Sequence, residues 1–92
     1  MKVWTVCVDY GATGEGRTLM ARIGYAEDER HALTLFEKAF DPFYARSAEV
    51  SEGVSDNDVV RALFPAQTLE WVRQHVGRAN LDVSGRFHFN FA

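Results

Sequence analysis

Two runs of alternating residues meet at a glycine-rich stretch, and this pattern constrains the fold more than any other feature. In residues 3–10, Trp4, Val6, Val8 and Tyr10 share one side; Val3, Thr5, Cys7 and Asp9 share the other. Period two with β-branched and aromatic residues predicts a strand. Gly11-Ala-Thr-Gly-Glu-Gly16 holds three glycines in six positions and reads as a loop. Beyond it, Leu19, Ala21, Ile23 and Tyr25 alternate with Thr18, Met20, Arg22 and Gly24. A return strand follows, and the two form a hairpin.

The rest of the chain alternates between helical and strand signals. Glu27-Asp28-Glu29 opens a helix, where carboxylates meet the positive end of the dipole. Ala32, Leu33, Phe36, Ala39 and Phe40 make its apolar stripe, and Asp41-Pro42 ends it. Tyr44, Ala48 and Val50 predict a strand over residues 43–53. Ser55 as N-cap, Asp58 at N3 and the flanking Val54 and Val59 predict a second helix start. Pro65 predicts a kink or a fresh start within that helix. Leu69, Val72 and Val76 continue the stripe to a cap at Gly77. Last, Leu81, Val83, Gly85, Phe87, Phe89 and Phe91 alternate with polar residues, as in a one-sided strand.

The expected order is β-β-α-β-α(kinked)-β in a single domain spanning residues 1–92. Its class is α+β: a two-layer sandwich with helices on one face of a four-stranded, mainly antiparallel sheet. The open face then carries Thr5, Cys7, Asp9, Arg22, Asp82, Ser84, Arg86 and His88. Twelve aromatics (seven Phe, three Tyr, two Trp) and 47 % hydrophobic residues are the composition of a folded chain.

Charge and cysteine content narrow the function. Residues 1–46 hold six basic and seven acidic groups, and residues 47–92 hold four and six. The net charge of −3 leaves no basic half to neutralise phosphates, which argues against nucleic acid as a partner. No run approaches the ~20 apolar residues of a membrane span. The N-terminal run carries Asp9 and no small-residue cleavage site, so it reads as a strand and not as a signal peptide. Cys7 is the single cysteine and forms no internal disulfide, which suits the reducing cytoplasm.

Two partial motifs are outweighed by simpler readings. Gly11 to Thr18 resembles the phosphate-binding pattern G-x-x-x-x-G-K-[ST] with Arg17 at the lysine position. That chemistry needs a helix after the loop, and the sequence there alternates as a strand. Arg86-Phe87-His88-Phe89-Asn90-Phe91 resembles the aromatic strand of RNA-recognition domains. Its three Phe share a side with Leu81 and Val83, so the expectation is core. His31, His75 and His88 have no ligand spacing, and a lone cysteine makes no zinc motif, so no metal or cofactor is read.

Three functions remain to be weighed. The first is a small interaction module that self-associates as a dimer through a sheet edge or the open sheet face. The second is a small-molecule-binding or catalytic domain using Cys7, Arg22, Arg86 and His88 on the open face, although no catalytic motif is present. The third is a binder of single-stranded nucleic acid.

Overall fold

The computed structural model describes residues 1–12, 16–78 and 80–90. Strands β1 (Lys2–Ala12) and β2 (Gly16–Ala26) form the hairpin, with Lys2 opposite Ala26 and Ala12 opposite Gly16. Residues 13–15 of the predicted loop lie outside the described residues. Helix α1 (Glu29–Ala39) follows, then a 3-10 turn (Pro42–Ser47) and β3 (Glu49–Glu52). Helices α2 (Asp58–Leu63) and α3 (Ala66–Gln74) lead to β4 (Asp82–Phe89). The sheet is antiparallel throughout, in the order β3-β1-β2-β4. The α+β class and the four-stranded antiparallel sheet with packed helices are as expected.

Local chemistry explains the boundaries. Asp28 caps α1 by accepting from the His31 N–H at 2.8 Å. Pro65 ends α2 and stands at the N-cap of α3, so the predicted break is a fresh start. The cap of α2 is Asn57, which accepts from the Val60 N–H at 2.9 Å. Ser55, the predicted cap, instead accepts from the Asn57 N–H at 3.2 Å. Its own N–H is drawn to the Thr5 hydroxyl at 3.0 Å, which holds it outside the helix. The strand predicted over residues 43–53 begins only at Glu49. Before it, Pro42 fixes the first residue of the 3-10 turn, and Asp41 accepts from the Phe43 N–H.

The layering corrects the expectation of one covered face. Cross-strand partners share a face, and the register puts Val3, Cys7, Ala21 and Ile23 on one side of the sheet. There they pack with Val60 and Phe64 of the α2 segment and Leu69 and Val72 of α3. Val6, Val8 and Met20 point the other way, against Ala32 and Phe36 of α1. Helices therefore cover both faces of the central strands. The physical reason is that the apolar row of β1 (Trp4, Val6, Val8, Tyr10) and that of β2 (Leu19, Ala21, Ile23, Tyr25) lie on opposite faces. No single layer of helices can cover both.

Thr5 ties these layers together. Fully buried, it donates to the Gly53 carbonyl at 2.7 Å while accepting from Ser55. It thereby fixes the turn from β3 into α2.

Candidate functional site

The four residues singled out from the sequence do not converge. Cys7 faces α2, whereas Arg22, Arg86 and His88 face the α1 side. The expected open face around Cys7 is filled: Thr5 and Cys7 are buried and β2 is covered on both sides. A Cys7–His88 nucleophilic pair would need hydrogen-bond contact, and the sheet itself separates the two side chains.

Cys7 borders a cleft of about 290 Å³ with Asp9, Glu49, Asn57 and Asp58 among its walls. Its Sγ accepts from Asn57 Nδ2 at 3.1 Å. Burial pushes the thiol above its ordinary pKa; the Asn57 bond opposes this and Glu49 adds to it. A thiol that resists ionisation is a poor nucleophile. Asp9 on the cleft rim is engaged by Arg17 through two hydrogen bonds, which hold its carboxyl below the usual range. Among the described residues, no group of three or more His, Cys, Asp or Glu is placed to hold a metal ion.

Arg22 is 5 % exposed, and its Nε lies 3.2 Å from Asp82 Oδ1. The guanidinium folds back over Gly24, where an added Cβ would come within 2.8 Å of Nη2. Gly24 thus leaves the room in which Arg22 packs. Arg22 Nη1 is buried without a hydrogen-bond partner among the described residues. The Asp82 pair ties the start of β4 to β2.

Arg86 and His88 stand exposed on β4, beside the exposed Ser84 and Asp82. His88 Nδ1 and Thr18 Oγ1 are 2.7 Å apart, and His88 Nε2 is 2.8 Å from Asn90 Oδ1. On the other side of the strand, Phe87 and Phe89 are 53 % and 41 % exposed. Their rings meet edge to face at 4.5 Å. The expected core placement of these two is overturned, and Phe91 lies outside the described residues. Phe64 reaches only as far as Gly85, where an added Cβ would meet its ring at 3.2 Å. Neither Phe87 nor Phe89 belongs to either core.

Two strands form the sheet edges, and they differ. β3 has four residues, two of them Glu49 and Glu52, which shortens and charges that edge. β4 has eight residues. The Tyr25 N–H donates to the Leu81 carbonyl, so odd-numbered residues of β4 turn their backbone groups toward β2. The N–H and C=O groups of Asp82, Ser84, Arg86 and His88 then turn outward along an edge that no strand among the described residues pairs with. A sequence signal for this edge existed in the low charge of Phe87–Phe91; the exposure of the aromatics did not show in the alternation.

No helix among the described residues is long and apolar enough to cross a membrane. Comparison with protein-family models, with curated proteins and with solved structures finds no match to this chain.

Proposed function

We propose that this chain is a small interaction module that self-associates through the free edge of β4. The observation that carries this reading is the eight-residue edge strand with Phe87 and Phe89 exposed beside it. Unpaired backbone groups along a strand are a template for another strand, and exposed aromatics on the same strand add apolar contact. The opposite edge is short and acidic, so pairing through β4 ends in a closed pair and does not propagate. A single buried thiol suits a reducing cytoplasmic compartment for such a module.

Sedimentation equilibrium from micromolar to millimolar concentration tests it. The expected mass is that of two 10.4 kDa chains. Arg86→Pro removes an outward N–H without touching the bonds to β2, and Gly85 before it tolerates the restriction that proline imposes. This variant is expected to keep its far-ultraviolet circular dichroism and sediment as a monomer. A monomeric native chain, or a folded Arg86→Pro dimer, overturns the proposal.

The exposure of Phe87 and Phe89 also favours a second reading, in which they stack on bases of a single strand. Arg17, the cation opposite Phe89 on that face, is engaged by Asp9, which weakens it. Fluorescence anisotropy with a labelled oligonucleotide tests this reading. Affinity that falls with salt supports it, and no binding at low salt removes it.

A further inference from the structure

We infer that two copies pair antiparallel about a two-fold axis through Gly85, so that Ser84 of each chain lies opposite Arg86 of the other. This rests on the reading of β4 as the association edge and specifies its geometry. A two-fold axis through an antiparallel pair must set one residue number against itself. Residues of β4 on one face then meet residues on the same face, which leaves four registers with substantial overlap, centred on Ser84, Gly85, Arg86 or Phe87.

Overlap removes two of them. β4 runs from Asp82 to Phe89. Centring on Gly85 sets residues 82–88 against residues 88–82, and centring on Arg86 sets 83–89 against 89–83. Centring on Ser84 or on Phe87 pairs only 82–86 or 85–89.

Charge decides between the remaining two. With the axis at Arg86, two guanidinium groups stand directly opposed on the exposed face, and like charges in that position destabilise a pair. With the axis at Gly85, each Arg86 faces Ser84 and each Asp82 faces His88. On the other face, each Phe87 meets the partner copy's Val83, an aromatic and β-branched pair of the favourable kind. Gly85 meets Gly85 on the axis, where the absence of a side chain lets the strands approach beneath Phe64. The outward backbone groups match as well: residues 82, 84, 86 and 88 all face the partner, as an antiparallel ladder requires.

Cysteine cross-linking reads the register directly. In a Cys7→Ala background, Ser84→Cys and Arg86→Cys chains are prepared separately, mixed and oxidised with copper-phenanthroline. Directly opposed residues have Cα atoms about 5.5 Å apart, inside the roughly 4.4–6.8 Å range of disulfides. With the axis at Gly85, Ser84 and its own copy are about 9 Å apart, outside it. The expected result is a mixed Ser84→Cys/Arg86→Cys disulfide by mass spectrometry and no disulfide-linked dimer from either variant alone. A disulfide-linked Ser84→Cys homodimer or Arg86→Cys homodimer overturns this register while leaving edge pairing intact. A mixture that sediments as a dimer without cross-linking overturns this register and those centred on Ser84 and Arg86. A monomeric mixture overturns the self-association reading itself.

Discussion

Replacing Thr5 by Val isolates the hydrogen bonds that join β1 to the β3–α2 turn. The two side chains have nearly the same shape, so the change removes one hydroxyl and little packing. That hydroxyl donates to Gly53 at 2.7 Å and accepts from Ser55 at 3.0 Å, and Thr5 is fully buried. Both partners are backbone groups in a partly buried turn. Leaving a buried polar group unpaired costs about 1–3 kcal/mol. With the added methyl recovering part of the loss, a net cost of about 2–3 kcal/mol follows. For a domain of this size, each kcal/mol moves the melting temperature by roughly 4–8 °C. Urea unfolding followed by tryptophan fluorescence should show a lower midpoint at unchanged slope, and Thr5→Ser should recover most of the loss. A Thr5→Val cost below about 0.5 kcal/mol would refute the reasoning, since it would mean the turn is not held by this hydroxyl.

Two further outcomes follow from the packing and the titration of buried groups. Gly85→Val drives a branched side chain into the Phe64 ring, which an added Cβ already meets at 3.2 Å, and should cost about 1–3 kcal/mol by overpacking; an unchanged urea midpoint would show that Phe64 does not rest there. The Cys7 thiol ionises less readily folded than unfolded, because burial penalises the thiolate. Its folded pKa is raised, so its contribution to stability is complete below the ordinary value near 9.0 and is lost as pH rises through the folded value. Native stability should therefore fall more steeply above pH ~9 than that of Cys7→Ala, and equal slopes would contradict the burial of the thiol.

Much of this fold was legible in the chain, for reasons that belong to particular residues. Glycines at 11, 14 and 16 between alternating runs left the hairpin as the simplest solution. Glu27-Asp28-Glu29 and Pro65 mark helix boundaries through strong local effects, carboxylates at the positive end of a dipole and a missing N–H. The layering was not legible in the same way. Alternation tells which residues share a face; it does not tell which face of β1 lies beside which face of β2. The pairing of Cys7 with Ala21 decides that, and it is set by the hairpin register. Both central strands carry apolar residues on both sides, among them Val3, Val6, Cys7, Val8, Met20 and Ile23, and this is the mark of a doubly covered strand.

The candidate site was harder to see for a related reason. Phe87 and Phe89 share the apolar side of the last segment with Leu81 and Val83, and of the four only Leu81 is buried. Whether a helix lies over the end of a strand depends on how far α2 extends, and α2 stops after six residues. Cys7, Arg22, Arg86 and His88 each lie on the less apolar side of their own strand, and the register turns the Cys7 side away from the other three. Ser55 and Asn57 are both competent caps, and a bond to Thr5 some fifty positions away selects between them.

Amide hydrogen exchange along β4, measured by nuclear magnetic resonance at low and high protein concentration, tests the central claim most directly. In dilute solution the odd-numbered amides at 83, 85 and 87 should be protected by β2, while those at 82, 84, 86 and 88 exchange freely. At concentrations where the chain is a dimer, the even-numbered set should become protected as well. Even-numbered amides that stay unprotected in a demonstrated dimer would contradict pairing through this edge.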